Sequence, residues 1–161
     1  IGTVVAQLHR LLAAHPVMVY CPPDLPLVWL DFARIDQVLT NLLENAAKYT
    51  PPGTSITIDG QATAVGVVVC VCDAGPGPAP DAAGALFTPF TPHPVPGQPL
   101  GTGLGLSIAH GIIAAHGGQI TTTRPPDGGW CVAFTLPPGP TAGEPPRAGA
   151  PAAADTRRAD A

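Results

Sequence analysis

Hydrophobic and polar residues follow two periods along this chain, one helical and one extended. Apolar residues spaced three and four apart predict helices at 3–14, 31–49 and 104–116. Alternating or continuous β-branched runs predict strands at 17–21, 27–30, 54–60, 65–72, 118–124 and 129–136. The run 65–72 is apolar at nearly every position, so we expect that strand to be buried on both faces.

Proline and glycine mark the boundaries of the predicted elements. Pro51 and Pro52 end the second helix, and Gly117 and Gly118 end the third. Residues 137–161 are mainly proline, alanine and glycine with scattered charges, which cannot bury enough apolar area to offset the entropy of ordering. We therefore expect a folded domain at 1–136 and a disordered tail at 137–161.

The composition narrows the classes of partner. The 161 residues carry a formal net charge of −4, and only 11% of them are charged. This charge provides no basic surface that could bind nucleic acid or an anionic membrane. We therefore expect this chain to contact neither nucleic acid nor a membrane. The apolar stretch 64–72 is much shorter than the roughly 20 residues of a membrane-spanning helix. The chain starts at Ile1 in mid-pattern, which suggests a soluble fragment of a longer protein.

The cysteine spacing does not resemble a metal site. The four cysteines include no C-x-x-C pair, and Cys70 and Cys72 would point to one face of a strand, too close together to bridge comfortably. We expect all four to be reduced thiols of the core, in keeping with a cytosolic setting. They are Cys21, Cys70, Cys72 and Cys131.

The second predicted helix has an apolar face and a concentrated polar face. At about 100° per residue, its polar side carries Gln37, Asn41, Glu44, Asn45 and Lys48. A solvated surface is the simplest interpretation of that side. Two asparagines one turn apart are unusual there, because asparagine has a low helix propensity. Their amide oxygens could instead be neutral hard ligands of Mg²⁺, with phosphate oxygens and water completing the shell.

Asp73 stands where the apolar run 65–72 ends, and a carboxylate at that point needs a hydrogen-bond donor. One source of donors is a local turn onto the backbone amides that follow. The other source is a ligand, because an acceptor here would attract the exocyclic amino group of adenine and repel the O6 atom of guanine. Gly75 and Gly77 would then let the backbone approach the base closely.

The third predicted helix is preceded by the glycine-rich segment GTGLG, residues 101–105. The segment lacks the lysine of a Walker A loop and the G-x-G-x-x-G spacing of a dinucleotide-binding turn, which excludes both motifs. Unpaired backbone amides at a helix N-terminus can still hold an anion, helped by the helix dipole. The segment is therefore either a phosphate-binding loop or an ordinary turn that starts a helix.

Four segments in order resemble the N, G1, F and G2 boxes of the catalytic ATP-binding domain of bacterial sensor histidine kinases: NLLENAAKYTP, DAGPG, LFTPF and GTGLGLSIAHGIIAAHGG. The resemblance covers residues 30–136. The segment 22–54 is also similar in sequence to Kdp-type potassium or turgor sensor kinases. The implied fold is a Bergerat-type two-layer α/β sandwich. It has a mixed, mostly antiparallel sheet with helices on one face and a mobile ATP lid.

The resemblance implies a metal and phosphate end of the site. Asn45, assisted by Asn41, would hold Mg²⁺ against the phosphates of ATP, and Lys48 would contact phosphate as a point charge. The anion-binding backbone amides would come from the glycine-rich segment, namely Gly101, Thr102, Gly103, Leu104 and Gly105. These assignments favour the phosphate-binding interpretation of that segment.

The resemblance also implies a base end of the site. Tyr49 would pack beside the nucleotide, and Asp73 would bind the adenine amino group. Gly75 and Gly77 would lie beneath the ring of the base. The expected ligand is therefore ATP with Mg²⁺.

The predicted lid departs from the family pattern. Phe87 and Phe90 would anchor its base, but no arginine or lysine lies between Phe90 and Gly101, where His93 could substitute in part. Less positive charge would then face the γ-phosphate. Pro78 stands where the family usually has isoleucine, which would shorten the contact with the base.

The resemblance finally bears on the reaction. Related gyrase-type ATPases place a glutamate one turn before the metal-binding asparagine to activate water, and Asn41 at that position cannot accept a proton. We therefore expect slow hydrolysis and transfer of the γ-phosphoryl group to a histidine. The alternatives are a gyrase-type ATPase and a catalytically weak nucleotide-binding module.

The acceptor histidine is expected outside this chain. None of the five histidines precedes an acidic residue, as the phosphorylated histidine of such kinases usually does. The acceptor would then lie on an upstream dimerisation domain, and a response regulator would be the next partner. This organisation predicts the cytoplasmic domain of an inner-membrane sensor.

Overall fold

The computed structural model describes residues 1–78, 85–91 and 101–139. Its elements in chain order are α1 (Gly2–Gln7), a 3₁₀ helix (Leu11–Ala14), β1 (Val17–Tyr20), α2 (Phe32–Tyr49), β2 (Ile56–Thr63), β3 (Gly66–Asp73), α3 (Gly105–Ala115), β4 (Ile120–Thr123) and β5 (Trp130–Leu136). The strands form one sheet in the order β1-β2-β3-β5-β4. β1 is parallel to β2, and the other neighbouring strands are antiparallel.

The helices cover one face of the sheet. Val67, Val69 and Val71 alternate along β3 and are buried, and they share one apolar core with Leu42 of α2 and Ile113 of α3. Residues between these valines are half-buried, so the expectation of burial on both faces of 65–72 is wrong. Burial along β3 alternates with a period of two because the described helices pack on one face only, the face that carries the three buried valines. The predicted two-layer sandwich with a mixed sheet is confirmed.

Specific caps mark the start of α2 and the end of α3. Asp31 caps α2 by accepting a hydrogen bond from the Arg34 amide at 3.2 Å. α3 ends as predicted, with Gly117 at φ 73° and the Gly118 amide donating to the Ile113 carbonyl at 3.0 Å. The His116 ring joins these two ends: Nε2 accepts from the Asp31 amide at 3.0 Å, and Nδ1 donates to a backbone carbonyl of α3.

Two predicted elements differ in the structure. The helix expected at 3–14 is interrupted between α1 and the 3₁₀ helix, where the His9 ring hydrogen-bonds the Ala6 carbonyl. The strand expected at 27–30 is reduced to a single bridge between Val28 and Pro138. Pro138 has no amide hydrogen to donate, so the bridge does not extend into a ladder.

The prediction of four reduced core thiols is wrong for three cysteines: Cys72 and Cys131 are not reduced, and Cys21 is exposed. Cys72 of β3 and Cys131 of β5 face each other with Cα atoms 4.1 Å apart and form a disulfide. Spacing along the chain could not reveal this pair, because antiparallel pairing brings the two residues together. Cys21 and Cys70 are free thiols. Burial, and then the negative charge of Asp59, raises the pKa of the Cys70 thiol, which favours its protonated form at neutral pH.

Several predictions concern segments beyond the described ranges. Most of the predicted lid, including His93, lies at 79–84 and 92–100, outside the described residues. The same holds for 140–161 of the predicted tail, whereas the Gly139 amide donates to the Leu27 carbonyl at 3.3 Å. Among the residues that the structure describes, no helix is both long and apolar enough to cross a bilayer.

Candidate functional site

A cavity of about 510 Å³ lies between α2, the start of α3 and the ends of β3 and β5. All but one of the residues predicted to form the site line its wall. They are Asn41, Asn45, Lys48, Tyr49, Asp73, Gly77, Gly101, Thr102, Gly103, Leu104 and Gly105. Segments far apart in the sequence therefore meet around one space. Glu44 also lines the cavity and is exposed.

The amide side chains of α2 face the first residue of α3. A Cβ atom at Gly105 would lie 3.5 Å from Asn45 Nδ2 and 3.8 Å from Asn41 Cβ, which places the start of α3 in contact range of both asparagines. Asn41 Nδ2 is buried and has no hydrogen-bond partner among the described residues. A buried amide without a partner costs free energy, and a ligand with acceptor oxygens would recover it.

The donor set fits a divalent cation only in part. No group of three or more histidine, cysteine, aspartate or glutamate side chains that could hold a metal occurs within the described ranges. Asn41 and Asn45 offer neutral amide oxygens, which are hard ligands suited to Mg²⁺. Such a cation would need further oxygens from a ligand and from water, which is usual for Mg²⁺ bound with phosphates.

The glycine-rich segment supplies a second polar wall. A Cβ atom at Gly101 would lie 2.9 Å from Tyr49 Oη and 3.1 Å from Lys48 Nζ, so this residue brings the segment against the end of α2. Gly103 has φ 69°, a conformation that glycine adopts readily. Leu104 caps α3 without a side-chain hydrogen bond, which leaves the first-turn amides for an anion. Lys48 adds positive charge at the same place.

Asp73 is a partly buried carboxylate with one of its two oxygens hydrogen-bonded. The Gly75 amide donates to Oδ1 at 2.7 Å, and no hydrogen bond within the described residues engages Oδ2. Burial raises the pKa of Asp73. The Gly75 hydrogen bond, the Thr50 hydroxyl and the charge of His15 lower it less strongly. The local turn and the ligand-binding interpretation of Asp73 are therefore compatible, since each uses a different oxygen.

Gly75 is the predicted site residue that does not line the cavity. A Cβ atom there would lie 2.7 Å from both Asp73 Oδ1 and the Tyr49 carbonyl oxygen. Glycine at this position lets the turn after β3 pack against the end of α2. Gly75 thus positions Asp73 and Tyr49, whereas the expectation placed it beneath the base.

Thr50 is a buried neighbour of Asp73 that the sequence analysis did not select. Its side chain is 2% exposed, and its hydroxyl oxygen has no hydrogen-bond partner among the described residues. The hydroxyl is near enough to Asp73 to lower the pKa of the carboxyl, although the geometry is not that of a hydrogen bond. No pattern around 50 in the sequence signals this arrangement.

Trp130 and Arg124 were also missed. Trp130 lines the cavity directly across the β3–β5 ladder from Asp73. The Arg124 guanidinium lies 5.6 Å from the Trp130 ring and donates to the Pro78 carbonyl at 2.9 Å. The positions of both residues depend on strand register, which the sequence does not reveal. The alternation of side chains along β5 could have predicted only that Trp130 lies on the same face as Val132.

The two phenylalanines of the predicted lid base differ from each other. The Phe87 ring stacks on His110 with ring centroids 5.3 Å apart and packs against the core. Phe90 is 76% exposed, so within the described residues it does not anchor a packed base.

The profile of the family described as histidine kinase-, DNA gyrase B-, and HSP90-like ATPases matches residues 30–140. The chain belongs to this ATPase family. The catalytic domain of the histidine kinase ThkA is 31% identical and superposes with a TM-score of 0.74, covering 86% of this chain and 92% of that one. Mycobacterial sensor histidine kinase MprB superposes with a TM-score of 0.75 at 23% identity, which shows a common fold over 87% of this chain and 94% of MprB.

Curated relatives of this ATPase domain are sensor kinases. Sensor protein KdpD of Escherichia coli (strain K12) is 35% identical over 137 residues, which are 85% of this chain and 15% of KdpD. The adaptive-response sensory kinase SasA of Trichormus variabilis is 42% identical over 117 residues, which are 72% of this chain and 29% of SasA. The resemblance to sensor histidine kinases is confirmed, and the similarity to KdpD supports the Kdp-type prediction. The chain spans less than a third of either protein.

Proposed function

We propose that this ATPase-family domain binds Mg-ATP and donates the γ-phosphoryl group to a histidine on a separate dimerisation domain. A response regulator would be the next acceptor, and the parent would be a membrane-associated sensor with this domain on the cytoplasmic side. One observation carries the proposal: an acceptor carboxylate, two carboxamides and a glycine-rich helix start converge on the same cavity. The histidine kinases among its relatives favour transfer over hydrolysis of the gyrase type.

Each wall of the cavity has a role in this proposal. Asp73 Oδ2 accepts from the adenine amino group, and Tyr49 packs beside the nucleotide. Asn45 and Asn41 hold Mg²⁺, which when bound offsets negative charge on the triphosphate. Lys48 and the amides at the start of α3 bind phosphate oxygens. These groups hold the γ-phosphorus where an imidazole nitrogen can approach in line.

Two features of the described residues support transfer over hydrolysis. Asn41 lies one turn before Asn45 and cannot remove a proton from water. Among the histidines, His116 is occupied in the cap between α2 and α3, and His15 is buried with Nδ1 against the Thr54 carbonyl at 3.2 Å. These two rings are therefore unsuited to receive a phosphoryl group, and the placement of the acceptor on another domain rests mainly on the sequence context of the histidines.

Calorimetric titration of the chain with ATP and GTP in Mg²⁺ tests nucleotide binding. We expect saturable ATP binding and much weaker GTP binding, because Asp73 would face the guanine O6 atom. Equal affinities, or no ATP binding, would contradict the assignment of the cavity.

Phosphoryl transfer requires a second experiment. The chain is joined to a histidine-bearing dimerisation domain of a related sensor kinase, and ³²P from γ-labelled ATP is followed onto protein. Labelling that is lost when the acceptor histidine is replaced supports the kinase. Binding of ATP without labelling would favour the catalytically weak module instead.

A further inference from the structure

Trp130, the first residue of β5, is an aromatic residue among those that line the cavity. Its ladder partner is Asp73, and directly opposed residues of antiparallel strands point to the same face of the sheet. The two side chains therefore share the helix-covered face and both line the cavity. The indole is only half-buried, so part of it remains open to a ligand beside the carboxylate.

The indole is supported from the side by two residues outside the strands that carry the site. A Cβ atom at Gly77 would lie 2.7 Å from Trp130 Cε3, so the six-membered ring rests against the glycine backbone. The Arg124 guanidinium lies over the indole, 5.6 Å from a Trp130 ring centroid, and hydrogen-bonds the Pro78 carbonyl, which ties the loop after Gly77 to the start of β5. An arginine over an indole face restricts the ring through a cation–π contact. The geometry is that of a preorganised aromatic wall.

We infer that Trp130 is the wall against which the purine ring of the nucleotide stacks, and that Arg124 is a positioning residue for that wall. This inference rests on the proposed nucleotide site and adds a base contact to it. A flat apolar face binds any base, whereas the adjacent Asp73 Oδ2 distinguishes an amino group from a carbonyl oxygen. Stacking on Trp130 would supply affinity and Asp73 would supply selectivity.

The chain offers a direct spectroscopic test, because its two tryptophans are Trp29 and Trp130. Trp29 does not line the cavity. In the Trp29→Phe variant all tryptophan emission comes from Trp130. Titration with Mg-ADP should change that emission saturably, with the same midpoint as calorimetry. Inorganic tripolyphosphate should change it little, because it carries no base.

Affinity measurements provide the second test. Trp130→Ala should weaken ATP and ADP binding by roughly tenfold, as expected for loss of one base stack, and should change tripolyphosphate affinity by less than about twofold. Trp130→Phe keeps an aromatic face and should recover most of the loss. Arg124→Gln should weaken ATP by a few fold and shift the emission maximum of Trp130, which a purely structural role elsewhere would not do. Trp29→Phe is the matched control, with unchanged ATP affinity.

The outcomes separate this inference from the proposed function. If wild-type protein binds ATP but Trp130→Ala binds it equally or more tightly, the indole is a passive or obstructing side chain and the inference is wrong. If Trp130→Ala does not fold, the Trp29→Phe variant still tests the inference. The inference is then wrong if the emission of Trp130 in that variant does not change when ADP binds. If wild-type protein binds no ATP at all, the proposed function itself fails.

Discussion

Asp73 combines a structural and a ligand-binding role in a single carboxylate. Oδ1 accepts from the Gly75 amide and thereby shapes the turn after β3, while Oδ2 remains available beside Trp130. Burial raises its pKa, so the ionised form is held at some cost to the folded state. Such a cost is typical of groups retained for function.

Asp73→Asn should separate binding from stability. The amide oxygen can still accept from Gly75, but the amide nitrogen would then face the adenine amino group, donor against donor. We expect ATP affinity to fall roughly tenfold or more, the scale of a lost charged hydrogen bond, with tripolyphosphate affinity almost unchanged. Calorimetry with both ligands measures this difference. Equal losses would refute the adenine assignment.

The same carboxylate predicts a pH dependence of stability. Because its pKa is raised in the folded state, the folded protein binds more protons than the unfolded chain just above the ordinary pKa of about 3.9. The Asp73 contribution to the free energy of unfolding is therefore largest below that pH and declines as pH rises through the raised pKa. Urea unfolding across pH 3–7 should show this decline in wild type but not in Asp73→Asn, and identical pH profiles would contradict it.

Asn45 tests the metal and phosphate end. Asn45→Asp keeps the shape of the side chain and adds a negative charge where the triphosphate is proposed to bind. We expect Mg-ATP affinity to fall at least about 100-fold, the scale of an unpaired like-charge contact in a partly buried site. Gln37→Glu is the control, since it adds the same charge to an exposed position of α2 outside the cavity. Unchanged calorimetric affinity in Asn45→Asp would count against the assignment.

At the scale of elements, the disulfide joins the two strands that carry the base end of the site. Cys72 and Cys131 immediately adjoin Asp73 and Trp130 and are separated by 59 residues of sequence. Closing such a loop stabilises the folded state by about 2–4 kcal/mol, because it restricts the unfolded chain. Cys72→Ser, or dithiothreitol with wild type, should lower the free energy of unfolding by that amount. Cys21→Ser, at an exposed free thiol, should have no such effect.

The glycines of α3 and of its C-terminal cap provide another test of packing. A Cβ atom at Gly118 would overlap the Thr135 carbonyl oxygen and approach Ile113 Cγ2 to 3.0 Å, whereas one at Gly111 meets nothing within 4 Å. Gly118→Ala should therefore destabilise the fold by about 1–3 kcal/mol through overpacking. Gly111→Ala, at an exposed helical position, should stabilise it by up to about 1 kcal/mol. Urea denaturation of both variants measures the contrast, and equal effects would contradict this packing.

At the scale of the whole molecule, the proposed nucleotide cavity has Asn41 rather than a glutamate one turn before Asn45, and Glu44, which also lines the cavity, is exposed. We expect the isolated chain to hydrolyse Mg-ATP slowly, well below the roughly 1–10³ per second typical of enzyme turnover. A steady-state phosphate-release assay measures this rate, with Asn45→Asp as the background control. Rapid turnover abolished by that substitution would restore the gyrase-type alternative.

Local sequence was sufficient for the parts of the fold that depend on neighbours within a turn or two. The helical period, with Pro51 and Pro52 after it, predicted α2, and Gly117 with Gly118 predicted the end of α3. The polar stripe with Asn41 and Asn45 followed from the same period, because helix geometry alone places residues four apart on one face. The family motifs then indicated which segments would meet.

Tertiary structure decided which distant residues stand side by side. The order and register of β3 and β5 placed Trp130 beside Asp73 and Cys72 against Cys131, and they gave the segment 27–30 only a proline as partner. Strand pairing joins residues separated by dozens of positions, and its register is selected by burial of the whole sheet rather than by any local pattern. The chain alone thus specified α2, α3 and the chemistry available, while the packed sheet selected the neighbours of each group.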